Sequence, residues 1–196
     1  MCCTMYFKKV FGYLNRRLFY IINKKKYKYL SKDAVVQRLL RIDGKENIHI
    51  GNNVIIQKMS WLAAVPLTGE KDCILEIGDG TIIGHFNHIY ATGKIIIGKN
   101  VLTADKVFIS DNQHGYEDIT LPILKQVIKQ LPPLYIGDGT WIGENSCILG
   151  ASIGKNCVIG ANSVVNKNIP DYCIVVGAPA RIIKKYNKIS ERWEKV

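Results

Sequence analysis

The fold of this chain is decided by a stretch that reads Ile136-Gly-Asp-Gly-Thr-Trp-Ile142-Gly-Glu-Asn-Ser-Cys-Ile148-Leu-Gly-Ala-Ser-Ile153-Gly-Lys-Asn-Cys-Val-Ile159-Gly-Ala-Asn-Ser-Val-Val165. An aliphatic residue returns every six positions, with one step of five between Ile148 and Ile153. A short internal period is the first feature to establish in a sequence, because it decides the architecture.

Each hexad also carries a small residue and a corner residue at fixed positions. The small residue stands two positions before the aliphatic one, where it can share an interior: Thr140, Ser146, Cys157 and Ser163. Three positions after the aliphatic residue stands glycine or asparagine: Gly139, Asn145, Asn156 and Asn162. These two types enter left-handed backbone conformations most cheaply. Each hexad therefore predicts a short strand that ends in a tight corner, and three hexads would close a triangular coil.

The same pattern occurs upstream. Ile50-Gly, Ile77-Gly and Ile97-Gly are followed by the corner residues Asn53, Gly80 and Asn100. An amphipathic helix would space its apolar residues by three and four, and a hairpin sandwich would show two-fold alternation with turns every eight to twelve residues or so. Neither pattern fits, and the sequence predicts an all-β chain folded as a parallel β-helix.

The length of 196 residues suits one domain with a short appendage at either end. We expect a β-helix domain over residues 48–181, with an inserted loop over 111–134 where the hexads vanish. Residues 1–47 are predicted to form a basic, amphipathic helical segment, and residues 182–196 a short C-terminal helix that closes the coil.

The formal net charge of +11 is concentrated near the N-terminus. Nucleic acid, an anionic membrane surface or a phosphorylated ligand could each account for such a charge. We exclude nucleic acid as a partner, because the sequence contains no helix-turn-helix spacing, zinc-finger pattern or aromatic ribonucleoprotein motif.

Residues 4–22 carry apolar side chains at three- and four-residue spacing, which predicts a helix. Asn15-Arg16-Arg17 interrupts the apolar run, so it cannot span a bilayer, and it lacks the small-residue cleavage site of a secretory signal. Two interpretations remain open. The helix packs on the end of the coil or on a neighbouring subunit, or it lies on anionic lipid as a peripheral membrane contact.

Six cysteines are present, but none are spaced as a CxxC motif. Cys147 and Cys157 occupy repeat positions, where a free thiol behaves as a small apolar group. We therefore expect a reduced, cytoplasmic protein, peripheral at most to the inner face of the membrane, and no metal bound by these thiols.

The inserted loop begins Asp111-Asn-Gln-His114-Gly-Tyr-Glu-Asp118. A long unpatterned segment inside a regular scaffold is usually functional or disordered. Its polar start, clustered around one histidine, favours function.

These features together resemble the left-handed β-helix acyltransferases: tandem hexads, a looped-out histidine, Trp141-Ile-Gly, and the tail Val164-Val-Asn-Lys-Asn-Ile-Pro170 with Gly177-Ala-Pro-Ala-Arg181. The resemblance covers about residues 48–185. The phrase from Asp111 to Tyr116 is most similar to the acetyltransferases of sugars and surface polysaccharides. The resemblance implies a single-stranded left-handed coil, a homotrimer, and acetyl-CoA bound as co-substrate between neighbouring subunits, with no metal.

His114 is then the expected general base. A sugar hydroxyl is a poor nucleophile, and an imidazole with an ordinary pKa of about 6.5 can accept its proton near neutrality. The alternative for His114 is a structural hydrogen bond within the loop.

Further site residues follow from the resemblance. The expected acceptor-binding residues are His85, Asn87, His88, Asp111 and Tyr116. Each histidine of the coil could instead lie on a solvated face. A zinc site like that of the hydratases that share this fold is disfavoured, because the histidine spacing differs from theirs.

On the donor side, Lys167 and Arg181 match positions that contact the phosphates of CoA in the family. Gly143, Gly160 and Ala161 match backbone positions along the pantetheine, and Trp141 an aromatic wall beside the reacting centre. Asn166 is a further expected CoA-binding residue, although the family commonly has serine or threonine at this position and asparagine offers an amide in place of the hydroxyl.

The predicted function is acetyl-CoA-dependent O-acetylation of a sugar hydroxyl in a surface polysaccharide or its precursor. An acetyltransferase for xenobiotics or amino sugars, and a catalytically silent trimeric scaffold, remain as alternatives. The acceptor itself is not encoded in any motif of the sequence.

Overall fold

The computed structural model describes residues 16–196, which form a coil of short strands in three sheets. Sheet A contains β1 (Tyr29–Leu30), β4 (Ile48–Ile50), β7 (Ile74–Ile77), β10 (Lys94–Ile97) and β15 (Leu134–Ile136). Sheet B contains β2 (Val35–Val36), β5 (Ile55–Ile56), β8 (Ile82–Ile83), β11 (Leu102–Thr103), β16 (Trp141–Ile142), β18 (Val158–Ile159) and β20 (Cys173–Val176). Sheet C contains β3 (Arg41–Asp43), β6 (Trp61–Ala64), β9 (His88–Ala91), β12 (Phe108–Ser110), β17 (Cys147–Leu149) and β19 (Val164–Val165).

The remaining elements lie outside this regular coil. Helix α1 spans 16–23, and two short 3₁₀ turns span Lys45–Asn47 and Ile123–Lys125. The inserted loop carries β13 (Asn112–His114) and β14 (Ile128–Gln130), and the C-terminus carries β21 (Arg181–Asn187) and β22 (Arg192–Lys195).

The chain passes from sheet A to B to C and then repeats, and each strand pairs in parallel with its counterpart in the next coil. In sheet A, Ile50 pairs with Ile77, Ile77 with Ile97, and Ile97 with Ile136. The isoleucines that carry the hexad period therefore stack in one column. This is the three-sided parallel coil that the period predicts.

The interior of the coil is filled by the aliphatic and small residues of the hexads. Ile83, Ile109 and Ile142 are fully buried in it. The small positions are buried as well, and their hydroxyls are satisfied: Thr140 Oγ1 donates to the carbonyl of Gly154 at 2.8 Å, for example. The sequence pattern thus separates side chains that fill space from those that hydrogen-bond the neighbouring coil.

The predicted corners adopt left-handed backbone conformations. Asn100, Asn145 and Asn156 have φ angles of 52°, 57° and 48°, and Gly80 has 72°. Glycine has no Cβ to clash with the following carbonyl, and the short polar side chain of asparagine offsets that cost by local hydrogen bonding. The corner prediction is confirmed.

The coil begins earlier than residue 48. Tyr29 pairs with His49, and Val35 with Ile55, so residues 29–47 form a first coil and not a helical segment. The hexad pattern does not indicate this coil, because none of its strands is followed by the Ile-Gly pair. Helix α1 precedes it; the rest of the helix expected over 4–22 lies outside the described residues.

The C-terminal helix expected over 182–196 is wrong. Strand β21 pairs antiparallel with β20, and β22 pairs antiparallel with β21, so the C-terminus extends sheet B as a hairpin. Burial alternates along β21, which is the period of a strand, and Tyr186 contacts Trp193 edge-to-face at 5.5 Å across the hairpin. Within residues 16–196, none of the helices combines the length and apolar character needed to cross a bilayer.

The corner geometry makes a stability prediction. Replacing Asn145 by alanine should lower the free energy of unfolding by about 1–2 kcal/mol, because alanine pays the left-handed penalty that asparagine largely avoids. The matched variant Asn145→Gly should be nearly neutral. Chemical denaturation of both variants measures this, and equal losses for alanine and glycine would contradict it.

Candidate active site

The inserted loop leaves the coil between sheet C and sheet A and forms a hairpin. It follows β12 and returns at β15, with β13 and β14 paired antiparallel. His114 is the last residue of β13 and lies opposite Ile128. Its side chain is exposed. The structure thus displays this imidazole on a two-stranded arm that projects from one corner of the coil.

The base of the hairpin is clamped by Asp111. This residue is fully buried, and its carboxylate accepts hydrogen bonds from the backbone N–H groups of Thr92, Gly93 and Lys94 at 2.7, 2.9 and 2.6 Å. Gln130, at the end of β14, donates from Nε2 to the carbonyl of Asp111 at 2.8 Å. Its Oε1 accepts a hydrogen bond from Thr92 Oγ1 at 2.9 Å. Both strands of the hairpin are therefore tied to the same turn.

This arrangement corrects the expectation that Asp111 contacts an acceptor. A carboxylate with no exposed surface and three backbone donors has a structural task, which is to fix the start of the strand that carries His114. Tyr116 differs from it, because 62% of its surface is exposed beyond the clamp.

The far part of the loop is also ordered by hydrogen bonds. Lys129 pairs with Glu117, and this contact, together with the N–H of Tyr116, lowers the pKa of the Glu117 carboxyl. Asp118 accepts from the hydroxyl and N–H of Thr120 at 2.6 and 2.8 Å, which lowers the pKa of Asp118. Beyond these contacts the hairpin exposes a set of apolar side chains, named here the hairpin tip: Ile119, Leu121, Ile123, Leu124 and Val127.

His85 occupies the corner between sheets B and C. Its N–H donates to Asp105 Oδ1 at 2.8 Å, and its ring Nδ1 lies 3.3 Å from the same oxygen. The ring is partly exposed, with 38% of the side chain accessible. His85 is therefore oriented by a carboxylate and retains an accessible edge.

Asn87 lies beside it but faces the opposite way. Only 1% of its surface is exposed. Its Nδ2 donates to the carbonyl of His85 at 3.2 Å and to that of Ala104, in the next coil, at 2.9 Å. Because the amide holds two stacked coils together, we correct the expectation that Asn87 contacts an acceptor.

His88 belongs to an aromatic ladder on the outer face of sheet C. Its ring stacks on Trp61 with centroids 4.0 Å apart and planes within 8°, and it contacts Phe108 at 5.1 Å. Arg41 lies over the other side of Trp61 at 4.9 Å. Burial in this ladder lowers the pKa of His88. Its ring faces are covered within a single chain, so the expected acceptor contact by His88 is not supported.

Trp141 lies on the outer face of sheet B, and 49% of its surface is exposed. It is paired with Leu102 on one side and Val158 on the other. Gly143 follows it, and a Cβ there would lie 2.6 Å from the nitrogen of Ala161 in the next coil. Gly160 is similarly crowded by Val176 at 2.8 Å. Gly143 is therefore required for close stacking of the coils, because its neighbours are backbone atoms, whereas the atom crowding Gly160 belongs to a side chain.

The two predicted phosphate-binding cations lie at the C-terminal end of the coil. Lys167, like Asn166, is exposed after β19, and Arg181 is exposed at the start of β21. The turn before Arg181 packs on β19, since the N–H of Ala180 donates to the carbonyl of Val164 at 2.9 Å. The fold therefore brings both cations to the C-terminal end of the coil, and Arg181 lies in a strand of the same sheet as Trp141.

Comparison with known proteins agrees with this architecture. Residues 133–167 match the family model described as "Hexapeptide repeat of succinyl-transferase". The probable acetyltransferase Rv3034c of Mycobacterium tuberculosis is 40% identical over 150 residues, which cover 70% of this chain and 49% of that protein. The putative lipopolysaccharide biosynthesis O-acetyl transferase WbbJ of Escherichia coli is 36% identical over 129 residues, 62% of this chain and 66% of that protein. The chain belongs to the hexapeptide-repeat acyltransferases.

The galactoside O-acetyltransferase of Escherichia coli is 37% identical over 98 residues, 47% of this chain and 45% of that enzyme. The chain thus spans roughly half to two thirds of the length of these curated relatives. Among solved structures, AntD, an N-acyltransferase of Bacillus cereus in complex with dTDP and 3-hydroxybutyryl-CoA, has a TM-score of 0.70 at 23% identity and covers 87% of this chain and 89% of its own. That likeness concerns the fold.

The functional residues that the sequence does not predict are those that hold the hairpin in place. Gln130 and Thr92 clamp the hairpin, although neither stands in a motif. The sequence signal for this clamp is the irregular step at Gly93, where eight residues and not six separate Ile89 from Ile97. In the structure, a Cβ at Gly93 would lie 2.8 Å from Gln130 Nε2. In residues 16–196, no three His, Cys, Asp or Glu side chains are arranged to hold a metal ion.

The clamp predicts a difference between two carboxylates. Asp111→Asn replaces one acceptor oxygen by an NH₂ group facing buried N–H donors, and should lower the free energy of unfolding by about 1–3 kcal/mol. Asp138→Asn is the matched control, because Asp138 also accepts a backbone N–H, from Lys99 at 2.7 Å, but in an exposed position.

Denaturation of both variants measures the difference in stability. Hydrogen exchange of the Thr92–Lys94 amides should accelerate in Asp111→Asn alone. Unchanged exchange at these amides would contradict the clamp.

Proposed function

We propose that this protein is an acetyl-CoA-dependent O-acetyltransferase that acetylates a sugar hydroxyl of a surface polysaccharide or its precursor, with His114 as general base. The observation that carries the proposal is the exposed imidazole of His114, held on a clamped hairpin that interrupts a hexapeptide-repeat coil. The names of the relatives support the reaction class. Two of the three curated relatives reported above are named for O-acetyl transfer, and one of these for lipopolysaccharide biosynthesis.

The chemistry is direct transfer between two bound substrates. His114 removes the proton from the acceptor hydroxyl as its oxygen attacks the acetyl carbonyl of acetyl-CoA. A backbone N–H stabilises the tetrahedral oxyanion. When the carbon–sulfur bond breaks, the imidazolium returns the proton to the departing thiolate, so that His114 ends in its starting state. His85, oriented by Asp105, and Tyr116 are the side chains that we assign to the acceptor.

The donor site uses the other end of the coil. We assign Lys167 and Arg181 to the phosphates of CoA, because both are exposed cations at the C-terminal end. Trp141 then lies beside the acetyl group, and the backbones of Gly143, Gly160 and Ala161 lie along the pantetheine. Asn166 adds an amide where relatives have a hydroxyl. A left-handed coil, as in the family, is part of this proposal.

The proposed assembly is a homotrimer, and the outer face of sheet B supports it. This face carries a continuous apolar stripe in register across the coils: Val35, Ile55, Ile82, Leu102, Trp141, Val158 and Ile174. The inner face of the same sheet is already buried in the core. Parallel sheets are usually covered on both faces, so this stripe calls for a partner.

A second copy offers a matching surface. The hairpin tip exposes Ile119 and Leu124 at 97% and 90% of their surface. In one chain, His114 lies on the corner between sheets C and A, whereas Trp141 lies on sheet B. Packing the hairpin tip of one copy against the stripe of the next would bury both apolar sets. It would also bring His114 to Trp141, with one active site at each subunit boundary.

The catalytic role of His114 is tested by CoA release from acetyl-CoA in the presence of candidate sugars. His114→Ala should lower kcat/KM by about 10²–10⁴, the usual contribution of a general base, and leave CoA binding unchanged. The control is His49→Gln, on sheet A, where the ring contacts Tyr29 at 4.6 Å. It should retain full activity.

The outcomes of this assay separate the alternatives. Undiminished turnover in His114→Ala removes the residue from catalysis. Turnover with amino sugars or xenobiotics but not with sugar hydroxyls would replace O-acetylation by the corresponding alternative. A failure to bind CoA at all would leave the scaffold interpretation.

The assembly is tested by sedimentation. Leu102→Glu places a charge in the apolar stripe of sheet B, and should convert a trimer to monomers with the coil still folded by circular dichroism. Tyr135→Glu, at a similarly exposed site on sheet A, should leave the trimer intact. A trimeric Leu102→Glu variant would refute the proposed interface.

A further inference from the structure

Helix α1 carries apolar side chains on two opposite faces. One face packs on the N-terminal end of the coil, where Phe19 and Tyr20 contact the core. Asn23 is buried on the same side and donates from Nδ2 to the carbonyl of Phe19 at 2.9 Å. The opposite face carries Leu18, Ile21 and Ile22.

The outward face of α1 exposes large apolar side chains to solvent. Leu18, Ile21 and Ile22 expose 57%, 63% and 54% of their surface. At about 100° of rotation per residue, these three side chains lie within roughly a third of the helix circumference. They therefore form one contiguous patch, here named the α1 patch. Contiguous exposed apolar surface with a polar surround usually marks an interaction site.

Cations surround the α1 patch. Residues 16–32 contain seven lysines and arginines and neither aspartate nor glutamate: Arg16, Arg17, Lys24, Lys25, Lys26, Lys28 and Lys32. The lysines among them are exposed. A second copy of this chain would bring the same positive charge to the interface and be repelled. A binding partner that complements this region must therefore offer both negative charge and apolar groups on one surface.

A cavity beside the helix adds a place for a headgroup. It has a volume of about 330 Å³ and is lined by Arg16, Arg17, Tyr20, Ile21, Lys32 and Asp33. Three of the lining side chains are cationic and one is a carboxylate. Ile21 belongs to both the cavity and the α1 patch, so a phosphate in the cavity would lie directly next to the apolar face.

We propose that the α1 patch and the adjoining cavity dock this protein on an anionic phospholipid bilayer. The helix lies in the plane of the interface, with Leu18, Ile21 and Ile22 in the upper acyl region and the lysines among the headgroups. A lipid phosphate occupies the cavity beside Ile21. In the sequence, Phe7, Phe11 and Leu14 continue the three- and four-residue spacing of Leu18 and Ile21. This surface is distinct from the residues assigned to acetyl transfer, and the inference does not depend on that function.

The test is flotation of the full chain with two kinds of vesicle, phosphatidylcholine alone and phosphatidylcholine mixed with phosphatidylglycerol. The protein should float with the mixed vesicles, and the bound fraction should fall with added salt, because screening weakens the attraction. It should stay behind with phosphatidylcholine alone. No binding to the mixed vesicles, or equal binding to both kinds, would overturn the proposal.

Variants separate the apolar and the charged contributions. The apolar variant is Leu18→Ser, Ile21→Ser, Ile22→Ser, and the charge variants are Lys24→Gln, Lys25→Gln, Lys26→Gln together and Lys32→Glu alone. Each should lower the partition coefficient for mixed vesicles, the apolar variant by about tenfold or more. Matched controls change exposed apolar residues and exposed lysines elsewhere on the surface: Leu40→Ser, Met59→Ser, Leu67→Ser, and Lys125→Gln, Lys155→Gln, Lys188→Gln.

Circular dichroism and sedimentation of each variant keep the result interpretable. A folded apolar variant that no longer floats and keeps its oligomeric mass supports lipid docking. An apolar variant that floats like the wild type and changes its mass would instead make the α1 patch a subunit contact, and the proposal would fall. Loss of flotation in the control variants to the same extent would also overturn it.

Discussion

The structure depends on the hydrogen bonds that join each coil to the next. At one equivalent position in successive coils, the N–H of Gly51, Gly78, Gly98, Gly137 and Gly154 donates to the carbonyl of an isoleucine in the coil above, at 2.8–2.9 Å. A Cβ at Gly78 or Gly137 would lie 2.7 or 2.5 Å from backbone carbon of the neighbouring coil. The Ile-Gly pair is therefore a packing requirement. Isoleucine fills the interior, and glycine lets the adjacent backbones approach to hydrogen-bonding distance.

This constraint explains which parts of the fold were predictable from sequence. From Ile50 onward, the glycine and the left-handed corner recur from coil to coil, and the period can be recognised. The first coil, residues 29–47, has Leu30-Ser31 in place of the Ile-Gly pair, although the N–H of Ser31 still donates to the carbonyl of Ile50 at 3.0 Å. Without the glycine, the sequence pattern does not distinguish this coil from a helical segment. The C-terminal hairpin was missed for a different reason. Strands that pair antiparallel in a hairpin do not need the six-residue period of the coil. The alternation of exposed and half-buried side chains along β21 is also difficult to recognise in the sequence, because Lys184 is half-buried and Lys185 is exposed.

The same reasoning applies to the candidate site. The position of His114 on an excursion from the coil could be predicted, because an interruption of a strict period is visible in one dimension. The burial of Asp111 and Asn87 could not. Both are polar residues next to a corner, and whether such a side chain turns outward or hydrogen-bonds the next coil depends on the backbone donors and carbonyls that happen to surround it. Four contacts from residues 92–94 decide the matter for Asp111.

The three outward faces show where a repeat protein is free to encode function. The interior column holds aliphatic and small side chains, so the chemically diverse side chains of this chain lie on the outside. On the outer face of sheet C, neighbouring side chains shield one another from solvent, because Arg41, Trp61, His88 and Phe108 form a continuous stack. Sheet A mixes aromatic and charged residues, such as Tyr135 and Glu76. Sheet B alone among the three is apolar along its whole central column of strands β2 to β20.

A difference of this kind between faces has a physical consequence for assembly. The side chains on the outer face of sheet C already cover one another, so a partner subunit would add little free energy of association there. The apolar column of sheet B is exposed, and covering it stabilises an interface in proportion to the apolar area that is buried. In the proposed trimer, the subunits would meet along sheet B and leave sheet C free, with the hairpin of each copy directed toward the next. Under that proposal, the geometry of the active site follows from the one outer face whose apolar column has no cover within residues 16–196.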